Sequence, residues 1–278
     1  CASDCLLWRC NFDLMKILSI DIGNTNINYA VIEGISVFDM GSLATNTLKE
    51  NEHFFSVFEH LIQKHSLKAA AFCSVVPELC GRLASLLPTG FPLFQLTDKT
   101  THGLNLAYPK PEEIGHDRIA NAIAAQTYYS LPSIIIDLGT AITLDVVTDN
   151  GYEGGIIAPG FRLMSNYLSE QTALLPKLDL CGSQMNLSDS MHGYGRSTKE
   201  AMELGVSIGF SGMVSSLLEH VSSSLEKRTK STPVVLSTGG SIANLTHDWV
   251  NKTKFVDAIT LIGLAEAYLR WSNRRSCK

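Results

Sequence analysis

The feature that most constrains this chain is a short motif that occurs twice, as Asp21-Ile-Gly-Asn-Thr and as Asp137-Leu-Gly-Thr-Ala. Each copy follows an apolar run, at 15–20 or 133–136, and each leads into a second strand-like stretch. A strand that ends on Asp, turns at Gly and continues as a strand is a hairpin pattern. Two such patterns 116 residues apart predict a duplicated domain whose halves face each other across a cleft.

The residue types of the repeated motif suit phosphate binding. Glycine lets the backbone approach a ligand closely, and the N–H groups and hydroxyls that follow can donate to phosphate oxygens. The sequence contains neither G-x-x-x-x-G-K-[ST] nor G-x-G-x-x-G, so the common nucleotide-binding loops are excluded. A third glycine-rich turn at 237–241 strengthens the phosphate interpretation, although a single Asp-x-Gly-Thr also occurs in ordinary tight turns.

Composition and charge indicate an ordinary globular chain. Of its 278 residues, 45% are hydrophobic and 18% are charged. The net charge of −5 and the lack of a Lys/Arg cluster argue against nucleic-acid binding. No uninterrupted apolar run reaches about 18 residues, so we expect no membrane-spanning helix. Seven cysteines without a C-x-x-C pair predict a reducing, cytoplasmic compartment, with Cys73 and Cys80 as core or surface thiols.

The first 14 residues differ from the rest of the chain. Residues 1–14 contain three of the seven cysteines and show no period, whereas Met15-Lys16-Ile17 resembles a natural start. The apolar part of this segment is too interrupted for a secretory signal. We expect 1–14 to be a non-native or disordered extension; the alternative is a genuine extension that packs on the domain.

From Met15 onward, strand and helix patterns alternate. Three short antiparallel strands are predicted at 16–22, 26–33 and 35–40, followed by alternating helices and strands to about residue 130. The pattern restarts at residue 133. These features predict an α/β fold with mixed sheets, divided into an N-terminal domain at 15–130 and a C-terminal domain at 131–278.

Six motifs, taken in order, resemble those of the type III pantothenate kinases, which belong to the superfamily of acetate and sugar kinases, Hsp70 and actin. The similarity covers about residues 16–270. Each motif alone is weakly specific, and their order makes the resemblance strong. The motifs are Asp21-Ile-Gly-Asn-Thr-Asn26, Gly115-His-Asp-Arg118-Ile-Ala-Asn-Ala122, Asp137-Leu-Gly-Thr-Ala141, Gly154-Gly-Ile-Ile-Ala-Pro-Gly160, Thr172-Ala-Leu-Leu-Pro176 and Gly195-Arg-Ser-Thr198.

The resemblance implies two ribonuclease-H-like domains and a homodimer with the active site near the subunit interface. It implies ATP-dependent phosphorylation of pantothenate to 4′-phosphopantothenate, the first step of coenzyme A synthesis. It also implies a divalent metal, which we take as Mg²⁺, and a monovalent cation, K⁺ or NH₄⁺.

The nucleotide is expected at the two Asp-x-Gly turns. Donors of the first turn suit the β- and γ-phosphates, and Asp21 can hold Mg²⁺ directly or through water. The resemblance places a monovalent cation at Asp137, where it would separate carboxylates from phosphates that otherwise repel. For either Asp, a simple turn or hairpin-end carboxylate is the alternative. The predicted ATP-binding residues are Asp21, Ile22, Gly23, Asn24, Thr25, Asn26, Ile27, Asn28 and Thr140.

The acceptor is expected at the Gly115–Arg118 helix start. Asp117 is the candidate general base, because it need only accept the hydroxyl proton late in the transfer. Arg118 can grip the carboxylate of pantothenate; the alternative for Asp117 and Arg118 is a surface ion pair. By resemblance, Thr198 binds substrate at a helix N-terminus, or it is an ordinary N-cap. The predicted substrate-binding residues are Tyr108, Gly115, His116, Asp117, Arg118 and Thr198.

Two positions depart from the family pattern. His116 stands where the family has Ala, and Ser241 stands where the family often has Asp. We interpret His116 as a bystander, since the reaction already has a base, and Tyr108 as either a pocket residue or a packing residue. The rival functions are a kinase of another small hydroxyl acceptor, a polyphosphate phosphatase, and a non-catalytic nucleotide-binding regulator on the same fold.

Overall fold

The computed structural model describes residues 15–46, 53–178, 193–244 and 252–276. The extension predicted at 1–14 lies outside these ranges. Within them the chain forms ten strands and six α-helices. The strands are β1 Ile17–Ile22, β2 Asn26–Glu33, β3 Ser36–Ala44, β4 Ala70–Ser74, β5 Leu93–Gln95, β6 Ser133–Leu138, β7 Ala141–Thr148, β8 Gly151–Pro159, β9 Val234–Thr238 and β10 Lys254–Phe255. The helices are α1 His53–His65, α2 Cys80–Ser85, α3 His116–Tyr128, α4 Phe161–Glu170, α5 Thr198–Thr229 and α6 Ile259–Ser276.

The strands form two five-stranded mixed sheets of the same topology. The first sheet has the order β3-β2-β1-β4-β5, and the second, taken from β8, has the order β8-β7-β6-β9-β10. In the first sheet, β1 pairs antiparallel with β2 and parallel with β4. In the second sheet, β6 pairs in the same way with β7 and β9. The predicted α/β class, the mixed sheets and the duplication are therefore confirmed.

Inter-residue contacts divide the chain into two compact units that are not continuous in sequence. The first unit takes the residues up to Ser130, together with Asn150–Glu153 and the segment from Ala258 onward. The second takes Leu131–Asp149 and Gly154–Asp257. The predicted division at 130/131 placed the C-terminal segment in the second domain, whereas α6 packs on α3 in the first unit.

The two faces of the first sheet differ in what covers them. Side chains alternate between faces along a strand. Leu18, Ile20 and Ile22 of β1 point to one face and pack with Phe54 and Phe58 of α1 in the core. The residues between them, which include Asp21, therefore point to the opposite face, against which α6 and α3 pack. This arrangement sets Asp21 on the helix-covered face, at the carboxyl end of β1.

One helix within the described ranges, α5, is long and apolar enough on average to cross a membrane. It contains no uninterrupted apolar run, because glycine and serine recur along it. Its residues Met202, Val206, Phe210 and Val214 lie in the core of the second unit. Since 33% of the most apolar window of α5 is buried, one face of this helix belongs to the core of the second unit.

Candidate functional site

The turn between β1 and β2 is a tight loop that is held by its own backbone and by Thr45. The Gly23 amide donates to the Asn26 carbonyl (2.9 Å), and the Thr45 hydroxyl donates to the Gly23 carbonyl (2.8 Å). The Thr45 amide also donates to the Thr25 carbonyl (2.9 Å). The loop is therefore fixed before any ligand arrives.

Side chains of this turn divide into exposed donors and buried apolar residues. Asn24, Thr25 and Asn26 are exposed at the tip, where their polar groups are accessible to a ligand. Ile22 and Ile27, which the sequence analysis included among the ATP-binding residues, are fully buried in the core. Only their backbone groups are placed to contact a nucleotide.

The environment of Asp21 disfavours the ionised form of its carboxyl group. Burial and, to a smaller extent, the nearby Asp117 raise its pKa from 3.8 to about 7, against the lowering effect of hydrogen bonds from Cys73 and Asn28. The Cys73 thiol donates to Asp21 Oδ1 (3.3 Å). Two carboxylates this close favour a bound cation or a shared proton. Asp21 and Asp117, which the sequence analysis assigned to different roles, thus lie near each other in the first unit.

Asp117 lies in the first turn of α3, and a glycine makes room for it. Its Oδ1 accepts a hydrogen bond from the Arg118 amide (2.9 Å). A Cβ at Gly115 would lie 2.5 Å from Asp117 Oδ1, so a larger residue would displace the carboxylate. The position also suits a negative charge, because the helix N-terminus carries partial positive charge. The absence of a side chain at Gly115 therefore leaves space for the Asp117 carboxylate.

Arg118 and Tyr108 both contact Tyr152, a residue that the sequence analysis missed. The Arg118 guanidinium lies over the Tyr152 ring, 5.8 Å from its centroid. The rings of Tyr108 and Tyr152 pack edge to face at 6.1 Å. Tyr152 is 1% exposed and therefore forms a fixed wall behind Arg118.

Tyr152 reaches this position through a short pairing with the segment before Tyr108. The Tyr152 amide donates to the Asn105 carbonyl (2.9 Å), and the Ala107 amide donates to the Tyr152 carbonyl (2.8 Å). Gly151 has φ +102°, and a Cβ there would collide with the Asn105 backbone. Nothing in the sequence signals this pairing, because its two segments are far apart in the chain.

His116 and Thr198 were two further candidates for substrate contact. The Nδ1 atom of His116 is buried without a hydrogen-bond partner among the described residues. The N-cap of α5 is Ser197, whose hydroxyl accepts from the Glu200 amide (3.2 Å). Thr198 is therefore not the N-cap, and the alternative interpretation of its role is wrong. Its exposed side chain lies in the first turn of α5.

In the second unit, the backbone at two glycines, Gly160 and Gly239, lies against the second Asp-x-Gly motif. A Cβ at Gly239, where φ is +96°, would lie 2.7 Å from Asp137 Oδ1 and 2.6 Å from the Leu138 backbone. A Cβ at Gly160 would collide with the carbonyls of Gly139 and Thr140. The backbone therefore approaches Asp137 and Thr140 as closely as glycine allows, and the third glycine-rich turn joins the motif as its chemistry suggested.

The carboxylates fit cations of the kind that bind with nucleotide phosphates. Within the described ranges, no group of three or more His, Cys, Asp or Glu side chains could form an all-protein metal site. Mg²⁺ commonly takes one or two carboxylates and completes its shell with water and phosphate oxygens. Asp21 can supply one such carboxylate, and its side chain lies beside the exposed turn at 24–26.

Comparison with known proteins identifies the relatives of this arrangement. A family model described as type III pantothenate kinase matches residues 17–220, more than half of the chain. The type III pantothenate kinase of Akkermansia muciniphila is 38% identical over 70% of this chain and 76% of its own. That of Finegoldia magna is 34% identical over 81% of this chain and 86% of its own.

Among solved structures, the ROK hexokinase of Thermus thermophilus is similar in fold. Its TM-score is 0.51 and its sequence identity 15%, over 93% of this chain and 100% of its own. At this identity the similarity concerns the fold alone. The predicted ribonuclease-H-like fold is confirmed.

Proposed function

The chain belongs to the type III pantothenate kinase family, whose members phosphorylate pantothenate in coenzyme A biosynthesis, and we propose which of its residues carry out that reaction. The observation that carries the proposal is the close approach of Asp21 and Asp117 beside Arg118 in the first unit. This proximity supports the proposal that Asp21 binds a cation, Asp117 accepts the proton and Arg118 binds the substrate carboxylate.

Asp117 is the proposed general base. The primary hydroxyl oxygen of pantothenate attacks the γ-phosphorus of ATP, the bond from that phosphorus to the bridging oxygen breaks, and ADP leaves. The hydroxyl proton passes to Asp117 as the new bond forms. The hydroxyl is a weak acid, so the base acts late, when the developing bond has made the proton acidic.

Arg118 is proposed to bind the carboxylate of pantothenate. Its guanidinium is permanently charged and can donate two parallel hydrogen bonds to a carboxylate. Tyr152 holds the guanidinium from behind, and Tyr108 packs against Tyr152. With Arg118 at one end of the substrate and Asp117 at the other, the neighbouring residues set the orientation of the acceptor. His116 and Thr198 are proposed as further contacts to the substrate.

The nucleotide is proposed to bind at the first turn and at Thr140. Exposed Asn24, Thr25 and Asn26 supply donors to the phosphates, together with the backbone of 22–28. Mg²⁺ at Asp21 and K⁺ or NH₄⁺ at Asp137 would neutralise phosphate charge, which is the main contribution that cations make to phosphoryl transfer.

A homodimer in the cytoplasm is the proposed state. Several large apolar side chains of the second unit are exposed, a pattern typical of interfaces. They include Ile157 (65%), Tyr167 (63%) and Ile208 (52%). Light scattering after gel filtration tests the dimer. The described cysteines, Cys73 and Cys80, are free thiols, which agrees with a reducing compartment.

The function is tested by incubating the purified chain with ATP, Mg²⁺, K⁺ and a panel of small hydroxyl compounds, with products identified by mass spectrometry. We expect phosphorylation of pantothenate above all other acceptors. Preferred transfer to a sugar or another alcohol, or ATP binding without turnover, would contradict the proposal and favour one of the rival functions.

A further inference from the structure

A row of hydrogen-bonded side chains crosses four strands of the first sheet. Ser42 of β3 is in register with Asn28 of β2, and Asn28 is in register with Asp21 of β1. On its other side, Asp21 is in register with Cys73 of β4. Cross-strand partners in register share a face of the sheet, so these four side chains are lateral neighbours.

All hydrogen bonds of this row run toward Asp21. The Ser42 hydroxyl donates to Asn28 Oδ1 (2.8 Å). The Asn28 side chain in turn hydrogen-bonds Asp21, and it does so as a donor, since an ionised carboxylate only accepts. From the other side, the Cys73 thiol donates to Asp21 Oδ1 (3.3 Å). The Ser42 bond fixes which end of the Asn28 amide faces the carboxylate.

The corresponding carboxylate in the second sheet has different lateral neighbours. Asp137, the counterpart of Asp21, is in register with Thr143 and Thr238. The Thr143 hydroxyl donates to Asp145 Oδ2 (3.3 Å), and the Thr238 hydroxyl donates to the Asp257 carbonyl (3.2 Å). The hydroxyls on both sides of Asp137 therefore donate to acceptors elsewhere in the second unit.

Burial indicates that Cys73 has a role beyond filling space. It is fully buried on the helix-covered face, and Ala71, which shares that face of β4, is small. An apolar residue would pack there without a polar atom beside a carboxylate. A thiol adds one donor, and this donor is directed at the one carboxylate of the strand next to it.

We propose that Ser42, Asn28 and Cys73 are positioning residues that hold the Asp21 carboxylate in the orientation that receives the divalent metal. The proposal rests on the metal role assigned to Asp21 above. Residues that hydrogen-bond a metal-binding carboxylate orient it, and their loss commonly weakens metal binding about 10- to 100-fold. Cys73 acts directly, whereas Ser42 acts through the amide of Asn28.

The test measures Mn²⁺ binding to the enzyme–ADP complex by electron paramagnetic resonance, without catalysis. Cys73→Ala removes the donor, and we expect about tenfold weaker Mn²⁺ binding. Cys73→Ser restores a donor and is expected to bind within about threefold of wild type, a smaller loss than removal of an outer-shell partner causes. Cys80→Ala, the matched control at the other described cysteine, is expected to leave binding unchanged.

Ser42 provides a second test that leaves the core intact, because its side chain is exposed. Ser42→Ala is expected to weaken Mn²⁺ binding about threefold, a smaller loss than removal of a residue that hydrogen-bonds Asp21 directly. Ser42→Thr keeps the hydroxyl and is expected to bind Mn²⁺ as the wild type does. Melting temperatures of all variants are measured in parallel. Wild-type Mn²⁺ affinity in Cys73→Ala, or equal losses in Cys73→Ala and Cys73→Ser, would overturn the proposal.

Two further measurements distinguish a failure of this inference from a failure of the proposed function. Asp21→Asn is expected to lose most Mn²⁺ binding; wild-type affinity in that variant would overturn the metal role and the row together. If wild-type enzyme bound Mn²⁺ through Asp21 but did not phosphorylate pantothenate, the proposed function would fail. The Cys73 and Ser42 titrations would still decide whether the row positions Asp21.

Discussion

At the scale of single residues, Asp21 lies in an environment that destabilises the ionised form of its carboxyl group. Its pKa of about 7 in the folded protein lies above the ordinary 3.8, first because of burial and then because of Asp117. The folded protein therefore binds a proton that the unfolded chain has lost between these two values. The contribution of Asp21 to folding stability therefore falls as the pH rises through this window, on the order of 1 kcal/mol per pH unit.

We predict that Asp21→Asn stabilises the protein in a pH-dependent manner. The amide carries no charge at any pH, so the gain over wild type is near zero below about pH 4 and reaches its full value above pH 7. Urea denaturation of both proteins at pH 5 and pH 8, in metal-free buffer without nucleotide, measures the difference. A gain that is equal at both values would show that Asp21 does not titrate in this range.

Asp117→Asn is predicted to lower kcat by about 10²- to 10⁴-fold, the usual contribution of a positioned base. The amide is isosteric and keeps an oxygen for the Arg118 amide, so the helix start is preserved. The loss falls on the transition state, and KM for pantothenate therefore changes much less. Steady-state kinetics measure both constants, with ATP binding titrated as the control. If kcat fell less than about threefold, well below a base's usual contribution, the proton would have another acceptor.

Arg118→Ala is predicted to weaken binding of pantothenate specifically. Loss of a charged hydrogen bond of about 1.5–3 kcal/mol raises KM roughly 10- to 100-fold. Pantothenol lacks the carboxylate, so its KM should change little in the same variant. Comparing the two acceptors in wild type and Arg118→Ala gives the answer; an equal loss for both would assign Arg118 to another part of the reaction.

At the scale of elements, the helix that carries Asp117 is held against the C-terminal helix by close contact. A Cβ at Gly263 of α6 would collide with the Ala120 carbonyl of α3. Thr260 donates to Asn121 (2.7 Å), and Arg270 donates to Gln126 and Thr127 (3.1 and 2.7 Å). The position of Asp117 therefore depends on α6.

Gly263→Ala is predicted to destabilise the protein by about 1–3 kcal/mol, the usual cost of overpacking, and to lower kcat. In an open helix site the same change stabilises by about 0.8–1 kcal/mol. Gly205→Ala is the matched control, because a Cβ at Gly205 of α5 meets nothing within 4 Å. Chemical denaturation of both variants shows whether each substitution raises or lowers the free energy of unfolding. Stabilisation by Gly263→Ala would show that α3 and α6 have room to separate.

The sequence predicted the elements better than the contacts between them. Period and turn residues located the strands around Asp21 and Asp137 and the helix start at Asp117, because these signals are local. Tyr152 and the Ser42–Asn28–Asp21–Cys73 row were missed, since each depends on pairing between segments distant in the chain. The C-terminal helix was assigned to the other half for the same reason.

At the scale of the whole molecule, the two halves share a topology but carry different chemistry. Asp21 lies beside Asp117 and accepts hydrogen bonds from its lateral neighbours, whereas Asp137 lies close to the backbone at Gly239. In the function proposed above, the first carboxylate holds the divalent ion and the second holds the monovalent ion.

We predict that turnover requires K⁺ or NH₄⁺ and that Asp137→Asn removes this dependence together with most of the rate. Without a cation, the carboxylate and the triphosphate repel each other. Initial rates in buffers that contain only K⁺, only NH₄⁺, only Na⁺ or only tetramethylammonium measure the requirement at constant ionic strength. Full activity with tetramethylammonium alone would refute a specific monovalent site.

The discontinuity of the first unit also has a consequence for synthesis on the ribosome. Its sheet and catalytic helix are complete by Tyr128, yet the helix that covers them begins at Ile259. At about 5–20 residues per second, the ribosome needs on the order of ten seconds to make the intervening chain. During that interval the Ala120 side of α3 has no partner helix, while every strand of the second sheet emerges. The half of the enzyme that is translated first is therefore the last to be finished.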